Sequence, residues 1–354
     1  MEYRQLGHSG LRISAFTLGT MTYGGQGKFA HVGQGGVDVA KRQIDMCIDA
    51  GINILDTADI YSDGASEEIL GKALQGRQDQ MLVATKARFP TGPGQNQGGN
   101  SRYHIIEACE ASLKRLGTDH IDLYHIHEWD GWTPVEETLE AMDRLIRDGK
   151  VRYYGVSNYT GWQLMKTLGS AAENHYLRPI SQQIHYTLQA REAEYELLPI
   201  SSDQGVGAMV WSPLAGGLLS GKFRRDNQTP QDSRHLQGWK EPPVSDTEKL
   251  YDIVDELVAI GETHGVSAAQ VSLAWLLTRP AISSVVIGAR TDEQLKDNLA
   301  AANLTLSNDE LARLEKVSRP PLLYPYWHQA MTASDRLGAT DLQFLQPYLD
   351  DEQS

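Results

Sequence analysis

The chain of 354 residues is long enough for one large α/β domain or two smaller ones, and 40% hydrophobic with 22% charged residues is the balance of a globular protein with a sizeable core. A formal net charge of -14 argues against nucleic acid or an anionic membrane as partner, because both require basic surface, and no apolar run is long enough to cross a bilayer. The opening MEYRQ carries an early acid and no apolar stretch of a targeting peptide, so a cytoplasmic protein is expected.

In chain order, MEYRQLGHSGLRIS (1–14) predicts a hairpin turning between Gly7 and Gly10, and ISAFTLGT a strand ending near Thr20. Further β-rich runs follow: ILDTA (54–58), MLVATK (81–86), IDLYHIH (121–127), VRYYGVS (151–157), ISQQI (180–184), VGAMVWS (206–212) and SSVVIG (283–288). They make eight strands in all, alternating with helical patterns from about residue 52 to 300. TPVEETLEAMDRLIRDGK has Thr133 and Pro134 ahead of an acidic first turn and Gly149 at its end, and DEQLKDNLAA (292–301) reads the same way. Cys47 and Cys109 each fall inside an amphipathic helical pattern, which suits buried thiols better than a disulfide. Several strand runs are too continuously apolar for a sheet with one wet face. The expected architecture is a (β/α)8 barrel, one domain over 1–354, with the hairpin (1–14) covering its bottom and long loops at the carboxyl face of the strands. Three stretches interrupt the rhythm: residues 23–37, 89–102 and 224–243.

In such barrels chemistry sits just past the carboxyl ends of the strands. Here those positions hold Asp56, Lys86, His127, Ser157 with Asn158, Gln183, Trp211 with Ser212, and Gly288 to Arg290. Any one of them alone would be a helix cap or a solvated side chain, and Asp56 with Lys86 alone would be a buried ion pair fixing register. Seven strand ends alike favour a site. His127 stands near His125 and Glu128, but strand alternation is taken to turn both away, so no metal site is expected. No G-x-G-x-x-G occurs, so a Rossmann nucleotide site is not supported.

From LGHSGLRISAFTLGT to EQLKDNLAA the chain resembles the aldo-keto reductase family, and the segment GPGQNQGGNSRYHI resembles its long-loop branch, to which potassium channel β-subunits are related. DTADIYSDGASEEILGKAL, VATKARF and DLYHIHEWD carry the motifs, and the resemblance implies Asp56, Tyr61, Lys86 and His127 as the catalytic group of an oxidoreductase that interconverts carbonyls and alcohols with NADP(H). Tyr61 is the expected general acid and base, with Lys86 favouring its phenolate, Asp56 pairing Lys86, and His127 orienting the carbonyl oxygen.

The resemblance further implies Gly19, Thr20 and Met21 beside the cofactor, Ser157, Asn158 and Gln183 on its carboxamide, and Trp211 stacked on the nicotinamide. Ser212, Pro213, Leu214, Gly216 and Gly217 are expected to bring backbone amides to the pyrophosphate, with Lys222 as a charged partner. Gly288, Arg290 and Arg234 are assigned to the adenosine 2′-phosphate, which favours NADP over NAD, and Gln294, Asp297 and Asn298 to the adenine. An aromatic rim of Tyr23, Trp129, Trp132, Tyr326 and Trp327, the last two on a tail (318–354) near the substrate pocket, is expected to receive a small-molecule carbonyl or alcohol. A homo-oligomer stays open, and an NADP(H)-binding redox sensor with weak turnover is the competing reading.

Overall fold

The computed structural model describes residues 1–227 and 241–351. Eight parallel strands close a barrel: β3 (Phe16–Gly19), β4 (Ile54–Asp56), β5 (Leu82–Ala87), β6 (Ile121–Ile126), β7 (Val151–Ser157), β8 (Ser181–His185), β9 (Gly207–Trp211) and β10 (Ile282–Ile287), with β10 paired to β3. Every residue of β6 and β10 is buried, as befits strands covered on one face by helices and on the other by the barrel interior. Helices α1 (Val37–Asp49), α2 (Ala65–Ala73), α3 (Arg102–Leu116), α4 (Val135–Arg147), α5 (Gly161–Glu173) and α6 (Leu197–Gln204) each follow one strand in turn. Two helices, α7 (Thr247–His264) and α8 (Ala268–Leu277), separate β9 from β10, and α9 (Asp292–Ala300) and α10 (Asn308–Ser318) follow β10.

Local sequence explains the helices. In α4, Val135, Leu139, Met142 and Leu145 recur at helical spacing and are buried, while Glu136 and Glu137 occupy the first turn and Arg144 and Arg147 the last, each charge opposing the helix dipole. Ser101 caps α3 by accepting from His104 N, and Gly117 ends it at φ +67°.

The predicted strand ISAFTLGT divides in two. Residues Arg12–Ser14 form β2 and pair antiparallel with β1 (Tyr3–Gln5), while Phe16 onward enters the barrel; Ser14 Oγ donates to Phe16 O, 2.6 Å away, across the break. Leu6 and Ile13 of this hairpin pack with Ile54, Ala84, Leu123, Met209 and Val286, and the Arg4 guanidinium donates to the carbonyls of Ile282 and Leu277 at 2.8 Å each. An apolar plug thus seals the amino-terminal end of the barrel, and burying Leu6 and Ile13 contributes roughly 1.5–3 kcal/mol each. Both cysteines are buried and free. Among the described residues no helix is long and apolar enough to cross a membrane.

The tail lies elsewhere than expected. Helices α11 (Tyr326–Thr332) and α12 (Ala339–Asp351) pack beside α6: the Tyr326 ring meets Tyr195 at 5.5 Å and Phe344 at 5.4 Å, Tyr195 Oη donates to Pro321 O, and Ser202 Oγ donates to Gln343 Oε1. Aromatic packing against the barrel wall holds it there, away from the cavity described next.

Candidate active site

One cleft of about 1110 Å³ opens at the carboxyl end of the barrel, lined by every strand-end residue singled out above except Lys86, which lies beneath its floor. Lys86 is fully buried, a position that is costly for an ammonium unless its charge and all its donors are matched. They are: Nζ donates to Asp56 Oδ1 at 2.5 Å, to Thr57 O at 2.8 Å and to Tyr61 Oη at 3.5 Å. Burial pulls the ammonium down, but Asp56 and Tyr61 together hold it above its ordinary range, so it stays charged. The other Asp56 oxygen accepts from Gln183 Nε2 at 2.7 Å. The carboxylate is therefore fixed from two strands.

Tyr61 departs from the simplest expectation. Burial pushes its phenol above the ordinary range and the nearby Lys86 pulls it back only in part, so the group keeps its proton at neutral pH. The backbone just beyond it is unusual: Ser62 and Asp63 both take left-handed conformations (φ 51° and 54°), at a cost of roughly 1–3 kcal/mol each. Ser62 Oγ offsets this by donating to Tyr23 O and accepting from Gly25 N, both at 3.0 Å, and Gly24 must lack a side chain because a Cβ there would stand 2.7 Å from Ser62 Cβ. The glycine-rich loop after β3 thereby anchors Tyr61.

His127 faces Tyr61 edge-on, with ring centroids 5.9 Å apart. Burial, then the charge of Lys86, holds its pKa well below the ordinary range, so the ring is neutral. His125 does not turn away from it: two residues apart on one strand, both point inward, and His125 lies one layer deeper, its Nε2 2.9 Å from Ser181 Oγ. Buried beneath the site, it has its pKa lowered to about 3. Glu128, two residues beyond the end of β6, is not turned away either: it lines the same cavity. No group of three metal-ligating side chains occurs among the described residues. Asp59, missed in the sequence, is buried behind the site, with its amide donating to Lys86 O at 3.0 Å. Burial, then repulsion from Glu67, raises its pKa well above the carboxylate range, so it adds no second charge.

Asp56, Lys86 and His127 thus meet at the carboxyl ends of β4, β5 and β6, with Tyr61 on the turn after β4. The aldo/keto reductase family model matches residues 15–319. The chain belongs to the aldo/keto reductase family. An uncharacterized oxidoreductase of Bacillus subtilis, YrpG, is 38% identical over 91% of this chain and 97% of its own length. Probable voltage-gated potassium channel β subunits resemble it comparably: one from Arabidopsis thaliana is 36% identical over 86% of this chain and 92% of its own, and a putative one from Schizosaccharomyces pombe 35% over 90% and 93%. Members of the family are in general NAD(P)H-dependent oxidoreductases.

The remaining candidates of this aldo/keto reductase fall into two groups. Gly19, Thr20, Met21, Ser157, Asn158, Trp211, Ser212, Pro213, Leu214, Gly216, Gly217, Lys222, Gly288, Arg290, Gln294, Asp297 and Asn298 all line the cleft with Asp56 and Gln183. Many of their polar atoms are already engaged with one another. Asn158 donates to His127 O at 3.1 Å and accepts from Trp211 Nε1 at 3.0 Å, which, with His185 against the indole at 4.6 Å, fixes that ring. The amides of Ala215, Gly216 and Gly217 are spent inside the turn on Ser212 O, Ser212 Oγ and Leu214 O, so the turn offers fewer anion donors than its glycines suggest. Asp297 accepts from Ser267 and Gln270, Gln294 accepts from Arg290 N, and Asn298 donates to Gly288 O. Arg234 lies outside the described residues.

The second group is the expected aromatic rim, which the structure disperses. Tyr23 is buried, its hydroxyl donating to Gln43 Oε1 at 3.0 Å behind the cleft wall; Trp129 packs edge-on against Tyr159 and Trp162; Trp132 is 98% exposed; Trp327 lies tilted against its tail neighbour Tyr324. None of them lines the cleft. The walls beside Tyr61 and His127 are instead Phe29, Phe89 and Pro90, with Lys28, Asp63 and Glu128. Phe89 and Glu128 immediately follow strands whose ends were already suspect, and that adjacency is the signal that could have found them.

Proposed function

We propose that this chain is an NADP(H)-dependent reductase of aldehydes or ketones, reversible as an alcohol dehydrogenase, with Tyr61 as the acid. The observation that carries the reading is the convergence of a proton-bearing phenol, a buried ammonium and a neutral imidazole at one end of a single cleft that continues to Arg290. The cleft suits a dinucleotide: a ring-locked indole at Trp211 offers a flat face, the Ser157 and Gln183 oxygens can accept from an amide, and Lys222 and Arg290 stand where anionic groups would lie. Gln183 has its amide nitrogen committed to Asp56, which leaves its oxygen for that task. Bound there, the nicotinamide supplies the hydride.

The protein's own part is the proton. Tyr61 donates to the carbonyl oxygen as charge develops on it, Lys86 stabilises the phenolate left behind, and Asp56 with Gln183 keeps Lys86 aimed. His127, neutral, donates a hydrogen bond that orients the same oxygen. Its Nδ1 is buried with no hydrogen-bond partner among the described residues, so the proton is assigned to Nε2.

Titration with NADPH and NADH, followed by nicotinamide absorbance during turnover of aromatic aldehydes, diketones and keto-sugars, tests the reading. Tight NADPH binding with consumption supports it, and failure of NADPH to bind overturns it. Binding without turnover would favour the second reading, a redox-responsive regulatory subunit, for which the relatives named as channel β subunits speak.

A further inference from the structure

The walls of the cleft around Tyr61 and His127 narrow the substrate class. Phe29 meets the edge of Tyr61 at 5.3 Å and Phe89 the edge of His127 at 4.8 Å, so each catalytic ring has a phenyl neighbour. A carbonyl reaching Tyr61 Oη must carry its nearest substituent past these two rings, which favours a planar or apolar group there. Beyond them lies Glu128. It is half-buried, one of its oxygens accepts from Trp129 N at 3.1 Å, and among the described residues no cation comes within ion-pair distance and no protein donor reaches its second oxygen. That second oxygen stays accessible from the cleft, where a donor on the substrate can replace the water that solvates it. Burial also lifts its pKa despite the opposing effects of the Trp129 amide and Arg88. Lys28 and Asp63 at the lip are exposed and of opposite sign, so water screens them and they largely offset one another.

We infer that Glu128 is a specificity-determining residue which selects carbonyl compounds bearing a hydroxyl beyond a planar or apolar group, and rejects those bearing a carboxylate at the same place. This rests on the reductase reading above. The selection works in both directions: the hydroxyl gains a charge-assisted hydrogen bond, and a carboxylate there meets like charge in a partly dehydrated site.

The experiment compares kcat/KM with NADPH for benzaldehyde and for its meta and para hydroxymethyl and carboxy derivatives, in the wild type, Glu128→Gln and Glu128→Leu. NADPH binding monitored by fluorescence verifies that each variant is folded. In the wild type the better hydroxymethyl isomer should exceed its carboxy counterpart by about 10- to 100-fold. Glu128→Gln, which keeps an acceptor but loses the charge, should lower that ratio about tenfold by improving the carboxy compounds, and Glu128→Leu should lower it further by weakening the hydroxymethyl ones. Ratios that are the same in all three proteins overturn the assignment while leaving the reductase standing. Absence of turnover with every aldehyde, despite bound NADPH, removes the reductase reading and this inference with it.

Discussion

The two halves of the cleft are built differently. The groups proposed to handle the proton come from the ends of β4, β5 and β6 and from a turn pinned by Ser62, and their hydrogen bonds close on one another: Lys86 on Asp56, Asp56 on Gln183, Ser62 on Tyr23 and Gly25. The walls come from loops, where Phe29, Phe89, Glu128 and Arg290 line one cleft only because distant segments approach. Arg290 Nε, for example, donates to Val32 O at 3.0 Å, 258 positions away in sequence. Strand ends hold the first half in a hydrogen-bonded frame, while the second depends on how the loops pack.

The sharpest break in that comparison is Tyr61→Phe. It deletes one oxygen from the strand-built half, so kcat should fall on the order of 10²–10⁴-fold while NADPH affinity stays within about twofold by the same logic of a transition-state contact. Wild-type turnover in this variant, measured by NADPH consumption, would remove Tyr61 from the role of acid.

Lys86→Met tests the same half through stability and pH together. Asp56 would lose its partner in a site where both side chains are almost wholly buried, and the fold should lose roughly 3–5 kcal/mol in urea denaturation. The pH effect has a definite sign. Lys86 lowers the phenol's pKa, so removing it raises that pKa further; alcohol oxidation, which needs the phenolate, should then require higher pH, while aldehyde reduction, which needs the phenol, should show no loss of its proton donor at neutral pH. An oxidation profile that stays in place would mean that Lys86 does not couple to Tyr61.

Arg290→Ala moves to the loop-built half, where the effect should be smaller and selective. If the guanidinium reaches a 2′-phosphate, NADPH should weaken by on the order of 1–3 kcal/mol and NADH hardly at all. The structure supplies the competing outcome, because Arg290 also donates to the carbonyls of His31 and Val32. Equal weakening of both cofactors in the titration would make it a strap on the loop and would withdraw the phosphate assignment.

How much the sequence revealed follows the same division. Strands were legible because buried parallel strands write themselves as short apolar runs, and the polar residue that ends each run is conspicuous; hence Asp56, Lys86 and His127. Tyr61 was legible through the motif DTADIY rather than through any periodicity. The inward direction of His125 is also written in the sequence, since residues two apart on a strand share a face, which is opposite to the outward direction expected above. The rim was not legible. Tyr23, Trp129, Trp132 and Trp327 are aromatic and near a strand end or in the tail, yet whether a loop side chain turns into a cleft, the core or water depends on packing partners remote in sequence: Gln43 for Tyr23, Tyr159 for Trp129, and among the described residues no ring partner for the exposed indole of Trp132. The tail failed for the same reason, since its aromatic residues found Tyr195 on the barrel wall.

The smallest expected effect therefore separates the two ways of choosing wall residues. Trp132 is 98% exposed and its ring does not line the cleft, so Trp132→Ala should change kcat/KM for aromatic aldehydes by less than about twofold and stability by no more than about 0.5 kcal/mol, as for surface positions generally. Phe89 lines the cleft and packs edge-on with the His127 imidazole at 4.8 Å. Phe89→Ala should raise KM for the same aldehydes several-fold, because it removes an apolar wall whose burial against a ligand contributes on the order of 1–3 kcal/mol. Side by side the pair is informative even if both numbers are modest. A larger loss from Trp132 than from Phe89 would mean that the loop after β6 folds over bound substrate and that the rim read from the sequence forms only then; the reverse order would leave the wall where the barrel's own loops put it.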